Sequence, residues 1–145
     1  MNDQLPNTKY QTISNSQLVN DRKEEKSGKT YDLEERTTNF AEKVIILCKK
    51  LPGNSINFEL IPQLVRAAGS VGANYREAND ALSKRDFYYR LKITRKEAKE
   101  SNHWLNLILI ANPSLKSDID LLKIESFELK KIFSSIINKS RQLIF

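Results

Sequence analysis

The residues most able to do chemistry lie between Gln63 and Trp104. Gln63, Arg66, Ser70, Asn74 and Glu77 recur at spacings of three and four, which puts amide, guanidinium, hydroxyl and carboxylate groups on one side of a helix. Glu97 and Glu100 fall at the corresponding boundary of the next helical segment. An arginine held there needs a carboxylate, because an unpaired buried charge is costly. Such a line serves as a polar network that fixes helix register or joins subunits. General acid/base work by the glutamates needs a cleft that drives their pKa values apart, and nothing in the spacing supplies one.

A second set is basic. Lys92, Lys96 and Lys99 share a face, Arg95 flanks them, and Arg85 lies about two turns upstream. Arg76, Lys84 and Arg90 add charge near the preceding turn, and Tyr88 and Tyr89 are close enough in sequence for stacking. A ridge of this kind suits a phosphate backbone. Glu97 and Glu100 interrupt it, so a solvated face with ion pairs one helical turn apart is the plain alternative. Contact with RNA or DNA through this ridge is directed by backbone or shape, since no zinc finger, RNA-recognition signature or basic zipper is present to read bases.

Other chemistry is thinly represented. His103 and Cys48 are the sole histidine and cysteine, which leaves no zinc-type cluster and no intrachain disulfide. Cys48 falls on an apolar helix face as a small hydrophobe, and Trp104 reads as a core or interface anchor. There is no phosphate-cradling glycine loop and no HExxH, so the sequence gives no enzyme signal and calls for no cofactor. The chain carries 24 Lys and Arg against 18 Asp and Glu, net +6, spread along its length rather than gathered in one arm. No stretch reaches the roughly 18 apolar residues of a membrane span. With no secretory signal at Met1, the expected compartment is the cytoplasm and no membrane partner is expected.

Four helices must position these residues. Met1 to Thr30 is polar and aperiodic, a disordered or extended N-terminal tail, leaving residues 31–145 as the bundle domain. Leu33, Thr37, Phe40, Ala41, Val44, Cys48 and Leu51 give the first helix, stopped by Pro52-Gly53. The second is expected to open between Phe58 and Pro62, because proline fits best in a first turn. Its apolar stripe is Leu60, Leu64, Ala67, Val71, Tyr75 and Ala78, with Gly69 and Gly72 forming a slim surface for close approach of another helix. Ser83 caps the third, with Asp86 as a short version of the reciprocal capping-box residue. That helix buries Phe87, Leu91, Thr94, Ala98, Ser101, Leu105 and Ile108, and stops at Asn112-Pro113. Ser117 and Asp120 signal a fourth, supported by Ile119, Leu122, Leu129, Ile132, Phe133, Ile136 and Leu143 and bent near Glu125 to Phe127. The fold class is all-α, an antiparallel up-and-down four-helix bundle.

The segments QLVRAAGSVGANYREAN and SKRDFYYRLKITRKEAKESNHWL resemble the bacterial four-helix-bundle family of 23S rRNA intervening-sequence proteins, also called S23 ribosomal proteins. The family's line of Gln, Arg, Ala, Ser, Asn and Glu falls on Gln63, Arg66, Ala67, Ser70, Asn74 and Glu77. Its Ser-Lys-x-(Asp/Glu)-Phe start falls on Ser83, Lys84, Asp86 and Phe87, and its Arg-Lys-Glu-Ala-Lys-Glu run on Arg95 to Glu100. Many members carry Gly after the helix-two Glu. Ala78 stands there in this chain, which suggests a longer or unkinked end to that helix. The resemblance covers about Tyr31 to Arg141 and implies a homopentamer around a central channel, with the polar line and slim surface facing another subunit. A related branch resembles nucleic-acid-binding accessory subunits of diversity-generating retroelements, so RNA or DNA and a second protein are the partners implied. The leading expectation is a non-enzymatic oligomer that binds nucleic acid; a structural or protein-interaction module is the alternative.

Overall fold

A computed structural model describes residues 32–145; the expected N-terminal tail lies outside the described residues. Among the described residues four α-helices follow in order, α1 Leu33–Lys50, α2 Ser55–Asn79, α3 Lys84–Ala111 and α4 Lys116–Ile144, with one 3₁₀ turn at Pro113–Leu115. There is no strand among the described residues. Short connections make successive helices antiparallel, and the cross-links agree. Glu34 at the start of α1 meets Arg76 and Asn79 at the end of α2, and Arg90 early in α3 meets Glu77 late in α2. Asn102 on α3 donates to Ser126 on α4. Arg36 forms a two-bond ion pair with Glu125 on α4, 2.8 Å each, and Lys50 meets Asp118, which closes the ring of four helices.

The core follows the helical stripes. Phe40, Val44, Leu64, Val71, Leu91, Leu105, Ile108, Ile119, Leu129 and Phe133 are almost wholly buried. Leu47 and Ile137 are buried as well, although the expected stripes omitted them. On α3 the buried aromatic at the first turn is Tyr88, while Phe87 is half-buried. Both positions lie a turn from Leu91, and the rings of Tyr89 and Phe145 against Tyr88 settle which one turns inward. Leu143 is 72% exposed, because α4 outruns the apolar surface available to cover it. That helix is unbroken through Glu125 to Phe127, and it starts at Lys116 from the 3₁₀ turn with no side-chain cap, so Ser117 has no capping role.

Helix α2 departs most from expectation. It begins at Ser55, two turns before Pro62, which lies inside the helix and leaves the Phe58 carbonyl without its usual donor. Four hydrogen bonds secure this early start. The Asn54 side chain accepts from Asn57 N–H at 2.9 Å, and the buried Asn57 amide is clamped from outside the helix. Asn57 Nδ2 donates to the Pro52 carbonyl at 2.8 Å and to Asn112 Oδ1 at 2.9 Å, while Asn112 Nδ2 donates back to Asn57 Oδ1 at 2.9 Å. The first turn of α2 and the end of α3, 55 residues apart, are thereby joined by a reciprocal amide pair. At the other end α2 continues without a break to Asn79, with Ala78 buried.

The two glycines of α2 have different neighbours. A Cβ at Gly72 would stand 3.0 Å from Thr37 Oγ1 and 3.4 Å from Thr37 Cβ, so this glycine is what admits α1. Gly69 has open space around it and, with Ala73, faces outward. The slim surface therefore serves α1 only through Gly72.

Candidate nucleic-acid interface

Helix α3 is 28 residues long, about 42 Å, and carries the basic ridge on its outer side. Its frame is set by Ser83, whose hydroxyl accepts from Asp86 N–H at 3.0 Å, and by the burial of Leu91, Thr94, Ala98, Ser101 and Leu105. Asp86 does not complete a reciprocal cap; its carboxylate takes Arg90 instead, at 3.2 Å. With that buried face fixed, Lys92, Arg95, Lys96 and Lys99 line one shallow groove of about 290 Å³ together with Glu100 and His103. Among the described residues Lys92, Lys96 and Lys99 form no ion pair, and Arg95 has a single long bond of 3.4 Å to Ser134. Arg85 is not in this groove. Its guanidinium lies 5.1 Å over the Phe145 ring.

The polar line is divided rather than joined. Arg66 donates to Gln63 at 2.9 Å on the exposed side of α2, and Asn74 turns back to the Ser70 carbonyl at 2.8 Å. Glu77 is taken by Arg90 at 2.7 Å. Glu100 belongs to the basic groove ten residues further along α3, about 15 Å from the level of Arg90. The two carboxylates are thus not brought to one cleft with Arg66, and the described residues hold no cluster of metal-ligating groups.

Glu97 is the unusual member. Its Oε1 is buried with no hydrogen-bond partner, and so is Nε1 of Trp104, two helical turns along the same helix. Burial, with the charge of Glu100 added, pushes the Glu97 carboxyl above the ordinary carboxylate range, while Arg66 and Lys96 pull the other way. His103 packs edge-on against Trp104 with ring centroids 4.8 Å apart. Cys48 is half-buried, and desolvation pushes its thiol up to about 11, which leaves little thiolate at neutral pH.

Two surface features had no clear sequence signal. Arg141 and Phe145, at the far end of α4, come beside Tyr88, Tyr89 and Lys92. Between α1 and α4, Ile46, Leu121 and Ile124, each more than half exposed, border an open groove of about 450 Å³.

Four antiparallel helices, a polar seam whose members pair locally and a basic face on α3 define a small all-α bundle protein. Comparison with known proteins gives the class a family. The chain matches the family described as 23S rRNA-intervening sequence protein over residues 29–135 and belongs to it. It is similar to the crystal structure of a protein of unknown function from the S23 ribosomal protein family of Bacteroides thetaiotaomicron, with 33% identity and a TM-score of 0.66. That likeness covers 72% of this chain and 96% of the other. No curated protein matches. No helix among the described residues is long and apolar enough to cross a membrane.

Proposed function

We propose that this protein is a non-enzymatic, homo-oligomeric bundle of the cytoplasm whose α3 face binds the backbone of RNA or DNA. The carrying observation is the open groove in which Lys92, Arg95, Lys96 and Lys99 stand together, none of them in an ion pair among the described residues. Four adjacent cations repel one another unless counterions or phosphates lie between them, and a polyanion releases those counterions on binding. Binding to duplex and single-stranded RNA and DNA, measured across a salt series, tests the reading. Lys92, Lys96 and Lys99 reversed to Glu together should abolish it, and the salt slope of milder single variants should fall by about 0.7 to 0.9 per cation lost. Absence of salt-sensitive binding at low ionic strength rejects it.

Assembly is supported by the buried Glu97 Oε1 and Trp104 Nε1, which have no hydrogen-bond partner among the described residues, and by the outward Gly69 and Ala73 on α2. Both features suit a second copy of the chain, and five copies is the number that the family resemblance implies. Sedimentation of the full chain tests this; a monomer at working concentration removes it. The α1–α4 groove with Ile46, Leu121 and Ile124 favours a second reading, a protein-interaction module that binds no nucleic acid. A specific protein partner recovered equally with and without nuclease would select that reading.

A further inference from the structure

The basic groove continues at one end into a recess of a different character. Tyr88, Tyr89, Lys92, Arg141 and Phe145 enclose about 420 Å³, and Lys92 lines both depressions. Tyr88 is buried and forms the floor. Tyr89 and Phe145 meet its ring edge-on, with centroids 5.2 and 5.5 Å away and both planes at 70°. They remain 47% and 66% exposed. Cations stand against the same rings, Lys92 Nζ 5.4 Å over Tyr88 and the Arg85 guanidinium 5.1 Å over Phe145. Among the described residues no acidic side chain lines the recess.

Two exposed aromatic rings beside a row of cations ask for a ligand that offers both a flat π-surface and closely spaced anionic charge. A blunt duplex supplies phosphates but hides its base faces in the stack. An acidic peptide supplies charge without an obligatory flat ring. An unpaired strand supplies both, because every base has a face that stacks whatever its sequence. Resting on the nucleic-acid reading of the α3 ridge, we infer that Tyr89 and Phe145 form a stacking platform for an unpaired base, and that the preferred ligand is single-stranded. Lys92 and Arg141 hold the phosphates beside that base. Arg95, Lys96 and Lys99 take those that follow, along about 6 Å of helix. Tyr88 is a positioning residue, fixing the two outer rings.

The test compares three probes on the full chain: a strand of about ten nucleotides, a base-free strand with the same phosphates, and a blunt duplex. Wild type should prefer the base-bearing strand to the base-free one. Tyr89→Leu with Phe145→Leu should weaken the base-bearing strand by roughly 5- to 150-fold while leaving the base-free strand, the duplex and the salt slope nearly unchanged. Phe145→Trp in the wild-type background should keep the preference. Both positions are exposed, so circular dichroism of the Leu variant should match wild type. Equal weakening of both strands, or no preference in wild type, overturns the platform while duplex binding keeps the ridge reading alive. Binding of no probe at low salt overturns both. A nuclease-resistant protein partner lost in the Leu variant assigns the recess to protein and overturns the platform.

Discussion

Two places in this bundle bury polar side chains, and they end differently. At one end Asn57 and Asn112 exchange amide hydrogen bonds, and each also reaches a backbone carbonyl, Pro52 for one and Ile108 for the other. Midway along α3, Glu97 and Trp104 bury Oε1 and Nε1 with nothing to bond. The first site is complete within one chain. The second has open bonding capacity, which on the proposed assembly a second copy would fill, since an isolated buried polar atom costs about 1–3 kcal/mol. One chain can therefore contain both a finished lock and an unfinished one, and burial alone does not distinguish them.

The sharpest attempt to break this contrast is Asn57→Leu. It strands the Asn112 amide and releases the early start of α2, so urea unfolding should show a loss of about 2–3 kcal/mol. Replacing both asparagines by Leu should cost less than the two single losses together, as paired groups do. Next, the two glycines of α2 should separate the inner surface from the outer. Gly72→Val drives new atoms against Thr37 and should lose about 1–3 kcal/mol, whereas Gly69→Ala should gain up to about 1 kcal/mol from helix propensity. If Gly69 packs against a second copy, the same alanine weakens self-association in sedimentation.

Trp104→Phe removes the orphaned donor and keeps most of the ring. The protomer should change by less than about 1 kcal/mol while association weakens; a loss as large as that of Asn57→Leu would mean that Nε1 has a partner within the protomer. The smallest effect concerns Glu97. Its folded-state pKa is raised, so the folded chain holds the proton more tightly than the unfolded chain. Its contribution is present below the ordinary glutamate value of about 4.3 and is lost as pH rises through the folded-state value. Glu97→Gln should flatten the decline in that window. An unchanged pH profile would place Glu97 in ordinary solvent.

Much of the architecture is legible in single residues. Ser83 before Asp86, the Asn112-Pro113 stop and the Leu91 to Ile108 spacing locate α3 to within a residue, because caps and helical periodicity act locally. The opening of α2 is not legible. Local rules place Pro62 in a first turn, and the Asn57–Asn112 pair across 55 residues overrides them. The choice between Phe87 and Tyr88 is equally hidden, since both satisfy the period and a ring from the end of α4 decides it. The ridge residues Lys92, Arg95, Lys96 and Lys99 were readable as one face because a helix imposes that geometry on its own sequence. The polar line shared a face as well, yet its members pair with neighbours on either side, and no sequence period specifies a hydrogen-bond partner.

By itself the sequence determined four antiparallel helices, their main buried stripes and a basic face on the third, because each depends on spacings of three and four within one segment. Only the tertiary structure decided that Gly72 rather than Gly69 admits α1, that Asn57 finds Asn112, and that Phe145 and Arg141 join Tyr89 and Lys92. Those outcomes depend on how rigid helices come to lie side by side. The distances across such seams are set by the packing of whole faces, which no local stretch of chain encodes.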